Sequence, residues 1–93
     1  VYLELLRRGY EITIGKVDSL EVDFVCKKQN KPIYIQVSYL LASEETVERE
    51  FKPLKNIPDN YPKYVITMDD VDMSHEGIGH LNLIDFLRDN EVI

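Results

Sequence analysis

The chain holds a single cysteine, Cys26, so no internal disulfide can form. A reducing, cytoplasmic setting is the simplest one for such a chain. Cys26 falls in an apolar stretch and reads as a small buried hydrophobe. Long hydrophobic runs are missing too: none approaches the roughly 20 residues that a membrane helix needs. The opening Val1-Tyr2-Leu3-Glu4 carries a charge where the apolar part of a signal peptide would lie. Both absences argue against a membrane partner. Positive charge is scarce as well. Eleven Lys and Arg face 17 Asp and Glu, for a formal net charge of −6. Nucleic-acid binders draw affinity from neutralising phosphates, so this balance opposes tight DNA binding and leaves room only for a local basic patch. Repeats, low-complexity stretches and interdomain linkers are absent. So is any Gly-x-x-x-x-Gly-Lys-Ser/Thr loop.

What is present is ordinary globular material: 44% hydrophobic and 30% charged residues in a chain of 93. That length holds one domain with one modest core. The first residue is not methionine and the opening reads as the end of a helix, which predicts a fragment of something longer.

Val1 to Arg8 reads as that helix, with Gly9 as its C-terminal cap. Tyr10 to Ile14 alternates and predicts a strand, followed by a turn over Gly15 to Ser19. Leu20 to Cys26 predicts a second strand, with Val22, Phe24 and Cys26 on one face and Glu21, Asp23 and Val25 on the other. Lys27 to Pro32 reads as a polar hairpin turn. Ile33 to Leu40 predicts a third strand, rich in β-branched and aromatic residues. Its faces are Ile33, Ile35, Val37, Tyr39 and Tyr34, Gln36, Ser38, Leu40.

Ser43 is a good N-cap, and Glu44 and Glu45 suit the first turn of a helix running to about Lys55. Val47, Phe51 and Leu54 form its inward stripe. Pro58, Asn60 and Pro62 mark a loop. Tyr64 to Met68 predicts a strand, Asp69 to Glu76 a solvated acidic turn, and Ile78 to Leu81 a short strand. Asn82 caps a last helix, Leu83 to Asp89, with Leu83, Phe86 and Leu87 facing in. The expected class is α/β: a mixed sheet flanked by helices, in the order α-β-β-β-α-β-β-α.

Two neighbouring strands carry the most informative residues. Side chains alternate along a strand, so Glu21 and Asp23 project together, and so do Gln36 and Ser38. A hairpin sets the two pairs side by side. This pattern resembles the restriction-endonuclease-like, or PD-(D/E)XK, nuclease superfamily. There a helix carries a glutamate, one strand an aspartate, and the next strand Glu-x-Lys; the acids hold magnesium and the lysine helps activate or orient the attacking water. On this resemblance Glu4 matches the helical glutamate and Asp23 the aspartate. Gln36 stands where the second acid belongs, and Ser38 where the lysine belongs. The segments Leu5-Leu6-Arg7-Arg8-Gly9-Tyr10, Glu21-Val22-Asp23-Phe24-Val25 and Tyr34-Ile35-Gln36-Val37 look more narrowly like a C-terminal domain of unknown function in bacterial and archaeal AAA-type ATPases. That likeness spans nearly the whole chain. It implies ATP in a missing upstream domain, and that domain as partner.

The departures weigh against catalysis. Magnesium prefers charged oxygen ligands, and Gln36 offers a neutral one. Ser38 cannot replace a cation beside a developing negative charge. The resemblance therefore implies a vestigial motif at Glu4, Asp23, Gln36 and Ser38. Asp23 and Gln36 are its remaining candidates for magnesium or manganese, and Lys27, Arg49 and Lys52 are replacement cations. The plainer readings stand beside these. Asp23 is then a surface carboxylate, Glu21 a solvated strand residue, Gln36 a buried amide serving backbone groups, and Ser38 an ordinary strand residue. His75 and His80, with Asp70, Asp72 and Glu76 nearby, match no metal spacing. The acidic run lacks the glycine and closing glutamate of a calcium loop. Tyr34, Tyr39 and Tyr64 read as packing residues.

Three functions remain: an accessory domain that supplies protein or nucleic-acid contacts without cutting, an atypical metal-dependent nuclease, and a homodimerising structural domain.

Overall fold

The computed structural model of the protein describes residues 1–17, 20–74 and 76–89, with the side chains of 15–17, 20 and 21 left out. The described elements are α1 (Tyr2–Arg7), β1 (Glu11–Val17), β2 (Leu20–Lys28), β3 (Lys31–Val37), α2 (Glu44–Lys55), β4 (Lys63–Thr67), β5 (Gly79–Asn82) and α3 (Leu83–Arg88). The five strands form one sheet in chain order. β1, β2 and β3 run antiparallel to one another, whereas β4 and β5 join parallel to β3. The mixed sheet with flanking helices is the class that the strand and helix periods predict.

Each face of the sheet buries its own apolar cluster. On one side α2 brings Phe51 and Leu54 against Val22, Tyr34 and Val65. On the other side α1 and α3 bring Leu5 and Phe86 against Cys26, Ile33, Ile35 and Ile66. Alternation along β3 explains the division: Ile33 and Ile35 face one way and Tyr34 the other.

Several boundaries differ from the expectation. β1 runs on to Val17, through Gly15, where the sequence suggests a turn. The hairpin between β2 and β3 is shorter than the predicted turn. Lys28 pairs with Lys31, and only Gln29 and Asn30 are unpaired, with φ of 55° and 63°. Two consecutive left-handed residues make the tight turn whose twist suits a two-residue hairpin. Pro32 sits inside β3 opposite Lys27. It is tolerated because β4 first pairs at Tyr34, so the other edge of Pro32 has no ladder to break. β3 ends at Val37 and not at Leu40, although the Ser38 N–H still bonds across to β4. β4 and β5 are shifted by one residue, toward the N-terminus and the C-terminus respectively, and α3 ends at Arg88.

The largest difference lies within β2. Thr13 pairs with Val25, but Gly15 pairs with Val22, so Asp23 and Phe24 together oppose the single residue Ile14. This is a β-bulge. It turns Val22 onto the α2 side, while Phe24 and Cys26 stay with α1 and α3. Alternation alone puts all three on one face. Bulges leave no mark in a hydrophobic pattern this short.

α1 is held by a buried arginine. The Arg8 side chain is 5% exposed, and its Nε donates to Glu4 Oε2 at 2.7 Å. Its Nη2 donates to the carbonyls of Phe86 and Asp89, and its plane lies 4.5 Å from the Phe86 ring centre. Arg8 thus ties the end of α1 to the end of α3. Gly9 follows with φ +91°, closing the helix as its position in the sequence suggests. Replacing Arg8 by Ala leaves these carbonyls without their donor and opens space beside Phe86. We expect a loss of about 3 kcal/mol of stability, measured by urea unfolding. A change below about 0.5 kcal/mol would show that the tie is not structural.

Candidate functional site

The bulge sets the geometry of the candidate site. The β2–β3 ladder ends at the pair Phe24–Ile35, and beyond it β3 continues only beside β4. Asp23 and Gln36 stand at this fork. There the two side chains take over from the backbone ladder. The Asp23 N–H donates to Gln36 Oε1 at 2.6 Å, and the Val37 N–H donates to Asp23 Oδ2 at 2.9 Å. Gln36 is 6% exposed, while Asp23 reaches the surface. The fork therefore brings together the two residues that spacing selects as candidate metal ligands. It also engages both of them with backbone amides, the role that the plainer reading gives to Gln36.

The other expected members of the site sit elsewhere. Glu4 lies on α1, whose buried residue Leu5 packs on the side opposite the Tyr34 and Gln36 face of β3. Its carboxylate is clamped by Arg7 and Arg8, with Arg7 Nε donating at 3.0 Å. The hydrogen bonds from these guanidinium groups hold its pKa down to about 2. Ser38 extends the β3–β4 ladder by donating its N–H to Ile66 O at 3.0 Å. Lys27 shares the parity of Asp23 but lies four residues along the strand, roughly 13 Å away at the usual rise. The side chain of Glu21 lies outside the described residues.

Sequence reasoning missed Glu50. This residue lies on α2, half-buried, and its pKa is raised. Burial is the main cause and the Asp23 carboxylate the second, with the neighbouring Arg49 opposing both. Arg49 Nε lies 3.7 Å from Glu50 Oε1. Arg49 thus pairs with an acid of its own helix. The signal for Glu50 was available: it sits three residues after Val47 and four before Leu54, beside the inward stripe of α2. The packing of α2 on the Val22, Val25 and Tyr34 face of the sheet brings it within electrostatic reach of Asp23.

A second polar network secures the long connection between β4 and β5. His80 is buried at 7% exposure, and its Nδ1 accepts the Met73 N–H at 3.1 Å. That acceptor role places the ring proton on Nε2, which donates to Thr67 Oγ1 at 2.6 Å. Thr67 donates in turn to Asp69 Oδ2, which also accepts the Leu41 N–H at 2.7 Å. These hydrogen bonds, led by that from Leu41, lower the pKa of Asp69. Asp69 is therefore a structural anchor and not the solvated turn residue that its acidic neighbours suggest. Both ring nitrogens of His80 are engaged within the fold. His75 lies outside the described residues, and among those described no cluster of three His, Cys, Asp or Glu could hold a metal. No helix among them is long and apolar enough to cross a membrane.

Comparison with known proteins gives one informative relative. The chain is 39% identical over 88 residues to an uncharacterized protein of Haemophilus influenzae, a match covering 94% of this chain. It spans only 21% of the length of that curated relative. No family model and no solved structure matches the chain.

Two pH-dependent outcomes follow from the acids. Ionised Glu50 is disfavoured in the fold, so its cost is present above its raised pKa and vanishes below the ordinary value of 4.5. Glu50→Gln is expected to raise the melting temperature at pH 7, with the gain fading in acid. Glu4 behaves in the opposite sense. Its contribution is present above 4.5 and is lost as pH falls toward about 2. Glu4→Gln should melt lower than the parent at pH 7 and converge with it near pH 2. Thermal scans across pH check both, and parallel curves at all pH would contradict the assigned shifts.

Proposed function

We propose that the chain is a restriction-endonuclease-like accessory module without cutting activity, borne by a longer AAA-type ATPase and supplying protein or nucleic-acid contacts. The observation that carries this reading is the fork at Asp23 and Gln36. Asp23 and Gln36 are held side by side at the end of the β2–β3 ladder, yet each accepts a hydrogen bond from a backbone amide. Gln36 brings no charge to a metal, and Ser38 brings no cation. The strand order and directions, antiparallel through β3 and parallel beyond it, suit that nuclease scaffold. The much greater length of the Haemophilus relative suits a module within a larger polypeptide. Tyr39 and Leu40, just beyond the motif strand, are exposed and suit a contact surface, whereas Tyr34 is buried.

One observation favours a second reading, an atypical metal-dependent nuclease. Glu50 supplies a second carboxylate within electrostatic reach of Asp23. A divalent cation would relieve that repulsion.

A manganese titration followed by amide NMR separates the two. The accessory reading expects no localised broadening at millimolar metal, and no metal-dependent cleavage of linear or branched DNA. Broadening centred on Asp23, Gln36 and Glu50, with cleavage that disappears in Asp23→Ala, would overturn it in favour of the nuclease. Cleavage that survives Asp23→Ala would point to a contaminant.

A further inference from the structure

The charge balance leaves room for a local basic patch, and the turn between β2 and β3 builds one. Lys28 and Lys31 are direct partners across the ladder, so both side chains leave the sheet on one face. It is the face that α1 and α3 cover, because Cys26 and Ile33, two residues away on each strand, are buried there. Like charges set opposite each other destabilise a strand pair. Neither lysine forms an ion pair among the described residues. Lys28 Nζ donates to Arg8 O at 2.9 Å and lies 5.1 Å from the centre of the Tyr10 ring. Lys31 is exposed.

Beside this pair lies a groove of about 330 Å³. Tyr10, Pro32, Ile33, Tyr61 and Pro62 line it with apolar surface, and Lys28 and Lys31 supply its charge. None of its lining residues is acidic, in a chain whose net charge is −6. The acids close by in sequence are turned away or engaged. Glu11 stands opposite Lys27, on the other face of the sheet from Tyr10. Asp59 accepts from the Tyr34 hydroxyl, the Lys63 ammonium and the Tyr61 N–H.

The ligand that complements this groove is anionic and carries a flat apolar part. Single-stranded nucleic acid has both, since its backbone suits lysines and its unpaired bases stack on aromatic rings. Tyr61 is 44% exposed, which leaves its ring available for stacking. The groove is near the small end of ligand sites, roughly 300–1,000 Å³, a size for a splayed base and not for a duplex. An acidic peptide would meet the lysines but offers no planar group to the tyrosines.

We propose that this groove binds single-stranded nucleic acid, with phosphates held by Lys28 and Lys31 and a base stacked on Tyr61. A phosphate between the two lysines relieves their repulsion. The groove lies on the face of the sheet opposite Gln36, so this site is separate from the fork, and it stands whether or not the chain belongs to an ATPase.

Fluorescence anisotropy of a labelled oligothymidylate of about ten nucleotides, titrated with the 93-residue chain, tests it. Saturable binding is expected, weakening about sevenfold from about 50 to about 200 mM salt, as two neutralised phosphates on a single strand require. Tyr61→Ala should weaken it at least about fivefold. Lys31→Gln should weaken it and roughly halve the salt slope. The same change should raise the melting temperature of the free protein, because the opposed lysines are gone; weaker binding by a more stable protein is not a folding defect. Absence of saturable binding at the lower salt overturns the proposal, and so does an affinity that Tyr61→Ala leaves unchanged. A duplex of oligothymidylate with oligodeoxyadenylate that competes as well as the single strand also overturns it, since charge alone then holds the ligand. So does displacement by an oligoglutamate at lower concentration than by unlabelled oligothymidylate, the occupant then being an acidic protein segment. Each of these failures leaves the reading of the fork standing, because the manganese titration tests that reading separately.

Discussion

Two hydrogen bonds at the fork between β2 and β3 organise the middle of this fold. Asp23 N–H to Gln36 Oε1, and Val37 N–H to Asp23 Oδ2, stand where ladder bonds would otherwise run. A strand that leaves its partner exposes backbone donors and acceptors, and leaving them unpaired costs roughly 1–3 kcal/mol each. The side chains of Asp23 and Gln36 remove that cost. β3 can therefore run on past the end of the β2 ladder while its opposite edge pairs in parallel with β4.

The bulge next to the fork has a second effect. By placing two residues of β2 opposite Ile14, it reverses the face of Val22. Val22 then joins Tyr34, Phe51 and Val65 beneath α2. Each face of the sheet thus receives a closed apolar cluster, and neither is left open to water. The α2 side pays for this with a half-buried carboxyl, Glu50, close enough to Asp23 to feel its charge. This is the physical tension between the two functional readings: hydrogen bonds that satisfy the motif internally, and an acid pair that a cation would relieve.

Much was legible from residue order. The α-β-β-β-α-β-β-α sequence of elements, the Ser43 and Asn82 caps, the Gly9 terminator and the inward stripe of α2 all follow from local chemistry. The pairing of Asp23 with Gln36 was legible as well, because strand alternation and a short hairpin suffice to bring them together. Misread features were those in which a residue type and its place disagree. Pro32 and the lysines around it look like a turn but lie in paired strand. Asp69 looks solvated but anchors Leu41 and Thr67. Glu4 looks like a candidate ligand but serves an arginine clamp.

By itself the sequence determined the α/β class of the fold, the inward stripe of α2 and the neutral chemistry at positions 36 and 38. These depend on side-chain type and on periods of 2 and 3.6 residues, which are properties of short windows. Only the tertiary structure decided which face Val22 takes, whether Asp23 and Gln36 stand open or engaged, and which acid of α2 approaches them. Those outcomes depend on a one-residue change of register and on the packing of elements distant in the chain. Register slips of that size reverse every side chain beyond them, and no local pattern records them.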